Sequence, residues 1–256
     1  SAPIIDGKLT DWPEETAANI GERLNFRIAY DDAFVYLGYQ AVGCGPIKNT
    51  GEQWKRLFKT GAAVDLKLGL DPDAPDDRKA PVEGDLRLLM TFVKGEPTAV
   101  LYRAVVPGTP PEEKWEVISP VQRTSFDEVT QLPDVRLART SDGNGYTVEA
   151  AVPLSSIGLT PQPGLRLKMD WGVLRTDADG FQVLERIYWA NKATGIVADA
   201  PSEARLNPHL WGHAIFVDRA NAADQRLEEL DDFSDSDEDT DEMIGDFLDE
   251  LEDDLK

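Results

Sequence analysis

The sequence predicts an all-β body, an antiparallel β-sandwich of jelly-roll type, carrying a mostly disordered acidic C-terminal tail that contains short helical segments. Three observations point there. Short apolar runs recur at spacings of roughly ten residues with turn chemistry between them. Helical periodicity is scarce, and the negative charge is piled at one end of the chain.

The runs can be justified in order. Leu24 to Ala41 holds two apolar stretches around Asp31-Asp32 and reads as a tight strand pair. Ala62 to Leu70 alternates, with Val64, Leu66, Leu68 and Leu70 on one face. Asp85 to Val93 is a strand, and Thr98 to Val106 follows it after the turn Lys94-Gly95-Glu96-Pro97. Asp134 to Arg139 and Gly145 to Val152 flank Ser-Asp-Gly-Asn-Gly, a strong hairpin signal. Leu165 to Arg175 and Phe181 to Trp189 flank Asp177-Ala-Asp-Gly180, a second one, and Trp211 to Val217 closes the body. Helical patterns are confined to Gly51 to Lys59 and a turn at Pro153 to Ile157.

The tail is a different material. The 256 residues carry a formal charge of −22. Residues 218–256 hold eighteen Asp/Glu against three Lys/Arg, a net of −15, which leaves 30 acidic and 23 basic residues, or −7, for residues 1–217. Ala220 to Leu230 reads as a short helix, Asp231 to Glu242 as solvated low-complexity acid, and residues 243–255 as an amphipathic helix through Met243, Ile244, Phe247, Leu248, Leu251 and Leu255. The domain reading is therefore 1–217 sandwich and 218–256 tail. A partner protein with a basic or apolar groove is the expected target of the amphipathic segment.

Composition narrows the function classes. An acidic chain with no basic stripe argues against nucleic acid as a partner. No apolar run reaches membrane-spanning length. The single Cys44 excludes an internal disulfide framework. Ser at position 1 suggests a trimmed start from which a signal peptide has gone.

Four segments together resemble the family 9 carbohydrate-binding modules and their relatives. They are Pro3-Ile-Ile-Asp-Gly-Lys-Leu-Thr-Asp-Trp12, Arg27-Ile-Ala-Tyr-Asp-Asp-Ala-Phe-Val-Tyr-Leu37, Gly145-Tyr-Thr-Val-Glu-Ala-Ala-Val-Pro153 and Pro208-His-Leu-Trp-Gly212, in the family's order. Asn49 to Asp71 is also similar to the family's segment before and through its central strand. The resemblance implies a sugar-binding β-sandwich, often with structural calcium, attached to secreted, periplasmic or surface proteins of bacteria.

A sugar ring presents an apolar face and a rim of hydroxyls, so its site needs a flat aromatic with planar donors and acceptors beside it. The candidates are Trp54, in Gly51-Glu-Gln-Trp-Lys-Arg56, and Arg186, Trp189 and Asn191, in Arg186-Ile-Tyr-Trp-Ala-Asn-Lys192. Strand alternation puts Arg186 and Tyr188 on one face and Trp189 and Asn191 on the other, and a strand ending at Trp189 leaves Asn191 free in the loop to meet a ligand. Trp54 matches the first aromatic of the family's sugar clamp in position. Past Trp189 the chain reads Asn-Lys-Ala-Thr-Gly-Ile-Val-Ala-Asp199, with no aromatic where the family places the second. Trp115 is a secondary candidate in a Pro/Glu-rich loop, and Trp12, Trp171 and Trp211 read as core.

Calcium takes several hard oxygen ligands on turns. Asp6, Asp11, Asp31 and Asp32 lie in the family-like turns and are the metal candidates, with turn capping as the alternative for each. No nucleophile elbow, phosphate loop or zinc spacing appears, so the body reads as non-catalytic, and Glu149 has no reason to be poised for acid–base work. A rival reading is a haem-binding electron-transfer domain of the same sandwich type, for which Met90 with Lys168 or Met169 are the axial candidates.

Overall fold

The computed structural model describes residues 2–13, 17–51, 53–120, 123–195 and 202–217. In chain order its strands are β1 (Ala17–Ile20), β2 (Leu24–Tyr30), β3 (Phe34–Ala41), β4 (Ala63–Gly69), β5 (Asp85–Val93), β6 (Glu96–Arg103) and β7 (Trp115–Ile118). They continue as β8 (Arg123–Phe126), β9 (Glu128–Gln131), β10 (Arg136–Ser141), β11 (Tyr146–Pro153), β12 (Arg166–Thr176), β13 (Val183–Tyr188) and β14 (Gly212–Ile215). One helical turn, α1 (Leu154–Ile157), follows β11.

The strands form two antiparallel sheets. One runs β1-β2-β3-β11-β10, and the other runs β13-β12-β4-β5-β6-β9, with β14 also paired to β12. The β7–β8 hairpin stands apart as a two-stranded ribbon. The sandwich is therefore as expected, and the strands read from apolar runs and turn signals are all present.

Alternation explains the main core. Phe26, Leu37, Tyr39, Val148 and Ala150 of the first sheet face Leu66, Leu68, Leu88, Met90 and Trp171 of the second. Phe26 stacks on Trp171 at 4.7 Å between ring centroids. The second sheet is also covered on its other side: Leu89, Val100, Tyr102 and Leu174 pack under Leu57, Phe58, the β7–β8 residues Val117 and Phe126, and the segment bearing Ala204, Leu206 and Trp211. That is why β4 is buried at every position although its sequence alternates.

The opening loop closes the far side of the first sheet. Backbone N–H groups of Asp6, Gly7 and Lys8 donate to Glu149 Oε2 at 2.9, 2.5 and 3.0 Å, and Trp12 Nε1 donates to Oε1 at 2.6 Å. Gly7, at φ +87°, is required because an added Cβ would lie 2.6 Å from the Arg139 carbonyl carbon. Two of the family-like segments thus meet in one buried carboxylate nest.

The structure differs from expectation in three places. Gly51 to Lys59 forms only a 3₁₀ turn at Trp54–Arg56. Trp115 belongs to β7 rather than to a loop. The short strands β1, β7, β8 and β9 were not evident in the sequence. The expected tail segments lie outside the described residues.

Candidate functional site

The outer face of the second sheet gathers ionisable side chains from four adjacent strands. Asp65 on β4 accepts from Arg87 Nε on β5 at 2.9 Å and from the Tyr188 hydroxyl on β13. Arg87 Nη2 lies 2.7 Å from Asp65 Oδ2, an ion-pair contact that leaves it without a well-aligned hydrogen bond, while Nη1 donates to the Glu203 carbonyl at 2.7 Å. Lys67 Nζ sits 3.5 Å from the centroid of the Tyr188 ring. Asp170 on β12 accepts from the backbone N–H groups of Trp171, Ala190 and Asn191.

Burial governs the electrostatics here. Desolvation pulls the Lys67 ammonium down to about 8, against the opposing pull of Asp65 and Asp170. It pushes the Asp170 carboxyl up and the Tyr188 phenol well up. Desolvation works against the Arg87 guanidinium, yet the charge of Asp65 raises it on balance.

The sequence candidates divide between the two faces. Arg186 lies on this outer face, buried, with Nη2 donating to the Gly195 carbonyl at 2.7 Å and the Ser202 hydroxyl at 2.9 Å. Asn191 is buried beside Asp170, and its Oδ1 accepts from the Ala193 N–H at 2.9 Å. Trp54 is half-buried against the outer cluster, with Lys55 Nζ 5.4 Å from its ring centroid. The Tyr102 hydroxyl donates to the Lys55 carbonyl and holds that turn on β6. Trp189 goes the other way: its ring lies 6.5 Å from that of Trp171 in a near-parallel stack, packs against the inter-sheet core, and closes over Gly212. The two tryptophans are thus on opposite faces of one sheet. Trp115 stacks on Phe126 within the outer cluster.

Four polar atoms on the outer face or on the segment that covers it lack a hydrogen-bond partner among the described residues: Arg87 Nη2, Arg186 Nε, His209 Nδ1 and Trp211 Nε1. The two guanidinium nitrogens and the indole nitrogen are donors. Reading β4, β5 and β12 as half-exposed strands leaves Asp65, Lys67, Arg87 and Asp170 as ordinary surface charges. The period-two pattern places them on one face but cannot show that the segments around residues 54–58 and 202–211 cover it.

The four aspartates nominated for calcium serve two separate turns. Asp11 accepts from the Ile4 N–H and Asp6 from the Lys8 N–H. Asp31 accepts from the Ala33 and Phe34 N–H groups and the Tyr36 hydroxyl, and Asp32 is an exposed residue of that turn. Among the described residues no three His, Cys, Asp or Glu side chains converge on a point that could hold a metal ion. The haem candidates lie on two faces of the second sheet. Met90 and Met169 are packed in the inter-sheet core, whereas Lys168 is on the outer face with Nζ donating to the Asp76 carbonyl at 2.7 Å.

The architecture defines a two-sheet antiparallel sandwich with a covered, polar outer face. Its fold is similar to that of the family 9 carbohydrate-binding modules. The module from Caldicellulosiruptor kristjanssonii in complex with glucose aligns at a TM-score of 0.49 and 15% identity, covering 84% of this chain and 91% of that one. The same organism's module in complex with cellotriose aligns at 0.49 and 15%, covering 86% and 91%. No protein-family model and no curated protein matches the chain. No helix among the described residues is long and apolar enough to cross a membrane.

Proposed function

We propose that residues 1–217 form a non-catalytic carbohydrate-binding module of an exported bacterial protein. The observation that carries this reading is the half-buried indole of Trp54, packed against the covered outer face, where Arg186 Nε and Trp211 Nε1 are buried donors without a partner among the described residues. An apolar ring face beside donors in want of acceptors suits a sugar, which stacks one side and offers hydroxyl oxygens at its rim. Trp54 supplies the stacking surface and Asn191 an amide, while Arg186 fixes the rim through Gly195 and Ser202. The four family-like segments support the substrate class and the export.

The test is a titration of tryptophan fluorescence with a panel of soluble neutral glycans, in the wild type, Trp54→Ala and Trp189→Ala. At least one glycan is expected to quench or shift the wild-type signal. Trp54→Ala should weaken that glycan by about tenfold or more. Trp189→Ala should lower stability by about 3 kcal/mol, because it empties space beside Trp171, and leave the affinity of the folded fraction intact. No response to any glycan, or equal affinity for wild type and Trp54→Ala, overturns the reading.

A further inference from the structure

We infer that a second site, at one end of the sandwich, binds a small organic or inorganic oxyanion such as a carboxylate or a phosphate. A cleft of about 450 Å³ opens there between the β5–β6 turn, residues 46–50 and β10. That volume falls within the range of small-molecule sites, roughly 300–1,000 Å³. Lys48, Lys94 and Arg139 line it, and no acidic residue does. None of the three makes an ion pair among the described residues.

A trio of uncompensated cations is conspicuous in a chain of net charge −22. At physiological salt a distant charge is screened beyond about 8 Å, so the local cations set the potential that an entering ligand meets. The cleft is also held in shape. Asn49 is fully buried, its Nδ2 donating to the Leu57 carbonyl at 2.9 Å and its Oδ1 accepting from Gly51 and Thr60. Its backbone N–H donates to the Phe92 carbonyl on β5, and its carbonyl accepts from the N–H of Lys94 in the β5–β6 turn. Arg139 donates through Nη1 to the Ile47 carbonyl, and its guanidinium carbon lies 4.5 Å from the Phe92 ring centroid. A guanidinium so fixed presents its remaining donors at little further entropic cost, in the planar arrangement that fits carboxylate or phosphate oxygens.

Lys94 adds a second mark. It has φ +52° and precedes Gly95 at φ +92°, both central residues of a type I′ hairpin turn. It is the only non-glycine residue with positive φ among the described residues. Asn or Gly is the usual occupant of that conformation. A long cation in that place needs a reason beyond the turn, and an anion in the cleft supplies one.

Another cleft with a basic rim serves as a contrast. Lys79, Lys114, Arg123 and Arg205 line a space of about 360 Å³, but Lys114 is paired with Asp127 at 2.7 Å and Arg123 with Glu116 at 3.4 Å. Two of its four cations are thus answered from within the protein, and Asp127 itself lines the space.

The test is an NMR titration of the ¹⁵N-labelled full chain with sodium glucuronate, sodium phosphate and glucose, each at matched ionic strength. Either anion is expected to move the amide signals of Lys48, Asn49, Lys94 and Gly95 saturably, and the effect should fade as NaCl is added. Glucuronate alone responding would assign a carboxylate ligand, and phosphate alone a phosphate. The exposed pair Lys48→Gln/Lys94→Gln should weaken binding by about tenfold or more without disturbing the rest of the spectrum. Trp54→Ala should leave the anion response unchanged, which separates this site from glycan binding at the outer face. No saturable shift with either anion, an equal response to glucose, or unaltered affinity in the double variant would overturn the assignment.

Discussion

Glu149 shows how a carboxylate within a sandwich acts as a fastening rather than a reagent. It is fully buried and faces four donors, three from consecutive backbone groups and one from Trp12. A glutamine there must turn its NH₂ toward either the backbone nest or the indole N–H, so at least one donor meets another donor. Glu149→Gln should therefore cost about 3 kcal/mol, read as a fall in the urea midpoint at unchanged slope. In a double-mutant cycle with Trp12→Phe the two losses should be clearly non-additive, and additivity would refute the shared nest. Lys67 gives a pH-dependent counterpart. Its folded value of about 8 lies below the ordinary 10.5, so between those limits the unfolded chain binds more protons than the folded one. Stability from this residue consequently rises as pH climbs from about 8 toward 10, and below 8 the cost of burying the ammonium is felt in full. Urea unfolding of wild type and Lys67→Met at pH 7 and 9 checks this. The wild type should gain stability relative to the variant at the higher pH, and parallel behaviour would refute it.

At the level of elements, the sequence is most legible where one face is apolar and the other polar over seven or more residues. β4 was evident for that reason, while β2, β3, β5 and β12 stood out as apolar runs bounded by turns that carry the Gly and Asp residues hairpins need. The strands that escaped notice have four residues each. Glu-Val-Thr-Gln of β9 contains one aliphatic residue, too few to show a period. Gly51 to Lys59 has helical composition, but Asn49 draws Gly51 and Thr60 onto its amide oxygen and leaves room for only a 3₁₀ turn. The candidate site was partly legible. The shared face of Arg186 and Tyr188, and the opposite face for Trp189, follow from alternation alone, and the structure has both; Asn191, which alternation groups with Trp189, lies instead beside Asp170, because β13 ends at Tyr188. Asp65, Arg87 and Asp170 could not be assigned with them, because their meeting depends on the order β13-β12-β4-β5, and strand order is not written in any one segment. Their charge is tolerable in the interior because Arg87 answers Asp65 while three backbone N–H groups answer Asp170.

At the scale of the whole molecule, the dominant fact is the distance along the chain between partners. β3 pairs with β11, so Val35 meets Val152, and the Glu149 nest joins residues 137 to 143 positions apart. β4 pairs with β12 across a similar gap, Leu66 meeting Trp171. Neither sheet can be completed by neighbouring hairpins alone, because the centre of each requires a strand from the last third of the body. Closing such loops costs entropy before the contacts repay it. Refolding should accordingly be slow for a chain of this size, on the order of milliseconds to seconds or longer in stopped-flow dilution from urea. The β2–β3 and β4–β5–β6 meanders are local and are expected to form early, with β11 and β12 docking onto them. The opening loop, which needs β11 already in place to find Glu149, should close last. Glu149→Gln should then accelerate unfolding and leave the refolding rate almost unchanged, a φ-value near zero, whereas Leu88→Ala on β5 should slow refolding. A Glu149→Gln chain whose refolding slows in proportion to its lost stability would show that the nest forms early, and would reverse this order of assembly.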